Sequence, residues 1–133
     1  MYIYRWWKAL TAKPITMLIK IKNLKVQTLI GINDWEREEK QDVIINAEIE
    51  FDGSRICVTD DINDTANYRT ITKRIISTVE ASSFFSLEKL AYTILQTILE
   101  DKKVLKAKVE VDKPYALRFA DSVSVQCESD QKH

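Results

Sequence analysis

Two stretches of alternating apolar and polar residues, then two of helical spacing, then two more of alternation constrain this chain more than any other feature. In the first stretch Ile19 and Ile21 alternate with Lys20 and Lys22, then Leu24, Val26 and Thr28 with Lys25 and Gln27. The apolar parity slips at Lys22-Asn23, which predicts a bulge inside one long strand. Gly31 ends it, and a charged loop over 33–40 follows. Val43, Ile45, Ala47, Ile49 and Phe51 then mark a second half-buried strand, paired with the first as a hairpin. A polar connection over 52–67 leads to Tyr68, Ile71, Ile75 and Val79, whose three- and four-residue spacing is one face of a helix. Ser82 and Ser83 break it, and Ser86 is placed to cap a second helix with a stripe of Leu87, Leu90, Ala91, Ile94, Leu95 and Ile98. Leu105, Ala107, Val109 and Val111 return to alternation until Pro114. Leu117, Phe119, Val123, Val125 and Cys127 give a fourth strand, and the polar residues from Glu128 read as a frayed tail.

The order strand, strand, helix, helix, strand, strand predicts an α+β layer: a four-stranded antiparallel sheet with both helices on one face. Lys20, Lys22, Lys106 and Lys108 would line the other face. Such a sheet has two open edges, which predicts pairing with further copies of the chain. At 133 residues there is chain for one domain, placed at 17–128, with a tail over 129–133. Residues 1–16, opening MYIYRWWKAL, are aromatic and basic, carry no acid, and differ from all that follows. They read as an extension outside the fold, dispensable for assembly and turnover, in preference to a membrane-surface or partner-docking segment.

Lys plus Arg balance Asp plus Glu at 20 each, so the basic excess of a nucleic-acid or anionic-membrane binder is missing. No apolar run is long enough for a signal peptide or a helical span. The two cysteines, Cys57 and Cys127, form no CxxC pair and read as reduced, partly buried thiols of a cytoplasmic protein. The one histidine is His133, which argues against histidine-ligated metal and Ser-His-Asp chemistry.

Four ionisable or polar residues stand where the folding pattern does not require them. Each alone has an ordinary explanation. Glu36 would be a solvated loop acid, Tyr68 a boundary aromatic, Glu88 a first-turn acid favoured by the helix dipole, and Lys113 surface decoration at a strand end. Their sequence surroundings make them specific. Over residues 19–125 the stretches IKNLKVQTLIGI, QDVIINAEIEF, DDINDTANYRTITKRII, FSLEKL and VEVDKPYALRFADSVSV resemble the dihydroneopterin aldolase family. NYRTITK together with DKPYALRFADSVS is most similar to its dihydroneopterin triphosphate 2'-epimerase branch.

The resemblance implies the tunnelling fold, in which ββααββ subunits join their sheets edge to edge into a barrel and two tetrameric rings stack as a homo-octamer. It implies that Glu88, with Leu87 beside it, anchors the pterin. A carboxylate accepts from the ring N–H and the adjacent exocyclic amine, while helix N-terminal amides meet the carbonyl. It implies catalytic roles for Lys113, Tyr68 and Glu36, with Tyr68 reaching the site of a neighbouring subunit, and neither metal nor cofactor. The dihydropterin ring itself would take up the electrons released when the C1'–C2' bond breaks. Arg69, Lys73 and Arg118 lie near the matched motifs and are candidate contacts for a triphosphate; each is equally at home as a solvated base. The expected activity is the 2'-epimerase. The alternatives are the aldolase that releases glycolaldehyde and 6-hydroxymethyl-dihydropterin for folate synthesis, and a non-catalytic pterin- or purine-binding oligomer. The zinc-dependent enzymes of the same fold have no support, because there is no histidine cluster.

Overall fold

Strand β1 (Thr16–Ile30) runs antiparallel to β2 (Gln41–Asp52), as the alternation requires, in a computed structural model that describes residues 15–131. Their register slips between Ile21 and Leu24, at the predicted bulge. Asn23 sits there with a left-handed φ of 55°, a conformation asparagine tolerates better than most residues. Its backbone N–H donates to the Asn46 side chain at 2.9 Å. β2 pairs with β4 (Val104–Pro114), and β4 with β5 (Ser122–Asp130), all antiparallel. A two-residue strand, β3 (Ser83–Phe84), adds to the outer side of β1 in parallel, giving the order β3-β1-β2-β4-β5.

Helices α1 (Tyr68–Glu80) and α2 (Leu87–Leu99) cover one face. Between them and the sheet lie Val43, Ile45, Ile49, Ile71, Ile75, Leu90, Ile94, Ile98 and Val109, all fully buried. Removing each such side chain from water contributes about 1.5–3 kcal/mol. On the opposite face one cross-strand row reads Lys20, Glu48, Lys108, Glu128 across the four long strands. Glu48 lies 4.0 Å from Lys20 and 3.5 Å from Lys108, and Lys106 pairs with Glu128 at 3.6 Å. Exposed pairs of this kind contribute little each; across the strands they set opposite charges against one another.

Several expectations need correction. β5 begins at Ser122, so Leu117 and Phe119 belong to the turn after Pro114 and are exposed, Phe119 at 93%. Tyr115 takes a left-handed φ of 62° and donates its N–H to Asp121 O at 3.2 Å, which closes that turn. Leu105 points outward and Val104 inward, because the β2–β4 register slips between Glu50 and Phe51 and sets Phe51 opposite Val104. Tyr68 opens α1 but does not join its buried stripe. Cys57 is exposed, on a helical turn over Ile56–Thr59 within the polar connection. The polar end is no frayed tail through residue 131: Ser129 and Asp130 complete β5, and Gln131 Nε2 donates to the carbonyls of Leu99, Asp101 and Val104. Residues 132–133 lie outside the described residues. So does nearly all of the assigned extension, although Thr16 already pairs with Asp52 in β1. Among the described residues no helix is long and apolar enough to cross a membrane.

Candidate active site at the end of the sheet

Gly31 follows β1 directly with a φ of 126°, a region that side-chain-bearing residues rarely adopt. A Cβ there would fall 2.2–2.3 Å from the Glu36 carboxyl group. The glycine thus opens space for an acid to fold back onto the chain. One turn of 3₁₀ helix, Asp34–Arg37, returns that acid, and Glu36 is only 4% exposed.

Every oxygen of the buried carboxylate is used. Oε1 accepts from the Asn33 backbone N–H at 3.2 Å and from Asn33 Nδ2 at 2.8 Å. Oε2 accepts from Gln41 Nε2 at 3.0 Å and from the Lys113 ammonium. Gln41 Nε2 also donates to Ile30 O at 2.7 Å, tying the start of β2 to the end of β1. Lys113 is the penultimate residue of β4, held opposite Val123 of β5. Burial pushes the Glu36 carboxyl up, but the bonds from Lys113, Gln41 and Asn33, with the lysine charge, outweigh it and bring the pKa down to about 2. Glu36 is therefore a fixed anion through the physiological range, facing a nearly buried cation. An ammonium has three N–H donors, and Glu36 is its one hydrogen-bonded partner among the described residues.

This pair sets a pH dependence. The folded pKa of Glu36 lies below its ordinary value of 4.5. Its stabilisation is thus complete above about pH 4.5 and lost as the pH falls through about 2. Glu36→Gln keeps the shape but removes the anion beside Lys113. It should cost about 1–3 kcal/mol at pH 7. The wild-type advantage should shrink between those two pH values, measured as urea midpoints across an acid series.

A second cluster lies beside the first. Arg37 turns its guanidinium away from Glu36. Nη1 donates to Gly31 O at 3.0 Å and to Phe84 O at 3.1 Å, Nη2 donates to Ser83 O, and the group lies 4.2 Å over the Phe85 ring. The Gly31 N–H donates to Phe84 O at 3.2 Å. Directly after, Ser86 caps α2, its hydroxyl accepting from Lys89 N at 3.2 Å. Leu87 is buried, and Glu88 is exposed in the first turn, with no hydrogen-bond or ion-pair partner among the described residues.

Of the site residues expected from sequence, the structure joins Glu36 and Lys113 directly, and it links the Glu36 loop to the segment leading into Leu87 and Glu88. It does not bring Tyr68 to them within one chain. Tyr68 is 58% exposed at the start of α1, which Asn67 caps through bonds from the backbone N–H groups of Arg69 and Thr70. Arg69 and Lys73 are exposed on α1, and Arg118 lies in the β4–β5 turn over Phe119. The sequence reading missed Gly31, Asn33, Arg37 and Gln41 as site residues. Asn33 had a signal, three residues ahead of Glu36 in the spacing of a capping box. Gln41 had none, since it reads as an ordinary first residue of a strand.

A ββααββ subunit of the tunnelling fold, carrying a buried carboxylate–ammonium pair at one end of its sheet, is thus the class of protein defined here. The chain belongs to the dihydroneopterin aldolase (FolB) family, which matches residues 19–128. It is 46% identical over 108 residues to the dihydroneopterin triphosphate 2'-epimerase of Escherichia coli K12, covering 81% of this chain and 90% of that one. It is 47% identical over 113 residues to the enzyme of the same name from Pseudomonas aeruginosa, covering 85% and 92%. Among solved structures, that of E. coli dihydroneopterin aldolase in complex with neopterin superposes with a TM-score of 0.81 at 27% identity, covering 85% of this chain and 98% of that one. The chain is an enzyme of this family.

Proposed function

We propose that the protein inverts the 2' carbon of dihydroneopterin triphosphate, giving the dihydromonapterin form. The observation that carries the chemistry is the Lys113 ammonium, nearly buried and fixed by Glu36 at the sheet end. The likeness to two 2'-epimerases selects the reaction within the family. Glu88 accepts from the pterin ring. The 2'-hydroxyl passes its proton to an ordered water, relayed by Tyr68, while the Lys113 ammonium meets the negative charge left on the oxygen. The C1'–C2' bond breaks, its electron pair passes into the ring C=N system, and the side-chain fragment becomes an aldehyde. The aldehyde rotates, C1' attacks its other face, and the proton returns to the new 2' oxygen. Glu36 holds Lys113 and orients the water. Arg69, Lys73 and Arg118 meet the triphosphate. Escape of the aldehyde and protonation of C1' gives the aldolase outcome instead, the reading favoured by the likeness to the neopterin-bound aldolase. No step needs a metal or cofactor.

Separate incubations with dihydroneopterin triphosphate and dihydroneopterin, followed by product chromatography, test this. Inverted triphosphate is the expected main product. Hydroxymethyl-dihydropterin as the main product from the unphosphorylated substrate would make it the folate-pathway aldolase, and no product from either would make it a binding protein.

The assembly belongs to the same proposal. β5 forms one edge of the sheet, and the two-residue β3 covers only the end of β1 at the other. A homo-octamer of two stacked rings closes both and carries the exposed Tyr68 to a neighbour's site. Light scattering should give about eight times the 15.5 kDa chain mass; a monomer would refute it. The cytoplasm, where two unpaired cysteines stay reduced, is the proposed compartment.

A further inference from the structure

We propose that Arg37 is a positioning residue that sets the distance between the pterin anchor and the Glu36–Lys113 pair, and so decides whether the cleaved aldehyde is recaptured or lost. The inference rests on the function proposed above. Glu36 and Arg37 are consecutive, so their Cα atoms stand about 3.8 Å apart. The first side chain is locked to Lys113 of β4 and the second to the segment that leads into α2. From Phe84 the chain needs only Phe85, the Ser86 cap and Leu87 to reach Glu88.

Apart from Arg37, that segment is held to β1 by the short parallel pairing and by the Thr28 hydroxyl, which donates to Ser82 O at 3.0 Å; neither reaches the Glu36 loop. β3 is two residues long, and its backbone bonds to the Glu36 loop include the single contact from Gly31 N to Phe84 O. The guanidinium adds bonds to Ser83 O and Phe84 O and a third to Gly31 O, so both strands are held by one rigid, charged fork. Its stacking on Phe85 fixes the residue before the cap as well.

The step that depends on this distance is re-addition. After cleavage the ring stays on Glu88, while the aldehyde oxygen is held only by the groups around Lys113. C1' attacks it productively when the two halves are in register, and a displacement of about 1 Å can cost 10²-fold in such a step. A loosened clamp therefore favours escape of the aldehyde and raises the cleaved product relative to the epimer.

The test measures that product ratio for Arg37→Ala and Arg37→Lys, with amide hydrogen exchange at Gly31 and residues 83–86. A ratio is counted per turnover, so loss of folded enzyme does not move it. Arg37→Ala should raise cleaved product over epimer by about tenfold and speed Gly31 exchange. Arg37→Lys, which keeps the charge without the fork, should fall between it and the wild type, and it serves if the alanine variant does not fold. A ratio within about twofold of wild type, or unchanged Gly31 protection, overturns the proposal. If the wild type makes neither product, the assigned reaction fails, and the exchange measurement alone decides whether Arg37 joins the two segments.

Discussion

Lys113→Ala is expected to lower kcat by about 10²–10⁴-fold, the usual contribution of a positioned acid or base, while neopterin still binds. The distinction is one of timing. In the proposed mechanism the anchor at Glu88 holds the ring equally in the ground state and the transition state, so it contributes uniform binding. In that mechanism the Lys113 ammonium meets charge that develops on the side-chain oxygen only as the C1'–C2' bond breaks. Losing it lowers kcat with far less change in KM. Pro114 restricts the residue before it to extended conformations, and Lys113 stays in register in β4 up to that point. The substitution also strips Glu36 of its cation, and breaking a buried pair from one side costs about 3–5 kcal/mol. The bonds from Asn33 and Gln41 remain to offset part of that loss, and retained neopterin binding by calorimetry will show that the variant is folded. Epimer and cleaved product should fall together, because both arise from one cleaved intermediate. Near-normal kcat would remove Lys113 from the reaction, and loss of only one product would refute the shared intermediate.

How these two residues meet explains what the sequence could and could not reveal. Alternation and helical spacing are local, so the four long strands, both helices and the bulge at Lys22-Asn23 were legible from the residues alone. The resemblance assigned Glu36 and Lys113 to one site, yet their contact spans 77 positions. It depends on the β2–β4 register, which sets Asp112 opposite Ile44 and so brings Lys113 near Gln41 and the loop before it. No short window of sequence carries that register. The same limit produced the error at Leu105, where a register slip reverses the faces that simple alternation assigns. Leu117 and Phe119 misled for another reason: apolar residues two apart in a turn copy a strand pattern while standing in solvent. The polar ending erred oppositely, because β5 alternates in burial without being apolar at every inward position.

Glu88→Ala should weaken neopterin binding at least ~30-fold and leave the fold nearly intact. A pterin bound in a closed site presents two adjacent donors, the ring N–H and the exocyclic amine. Each donor left without an acceptor costs about 1–3 kcal/mol, more where the missing partner was charged, and about 1.4 kcal/mol is a tenfold change in affinity. The folding side of the comparison is small. Glu88 is exposed and unpaired among the described residues, so its contribution to the subunit is that of an acid in a first helical turn, about 0.3–1 kcal/mol. The Ser86 cap and buried Leu87 hold that turn without it. Glu88→Gln separates charge from shape: it keeps one acceptor oxygen but turns a donor toward the exocyclic amine, so its affinity should recover little over alanine. Calorimetric titration of both variants with neopterin, alongside urea unfolding, reads the two effects separately. Unchanged affinity in Glu88→Ala would move the anchor elsewhere. A loss of binding matched by a collapse in unfolding midpoint would make Glu88 a structural residue instead of a ligand-binding one.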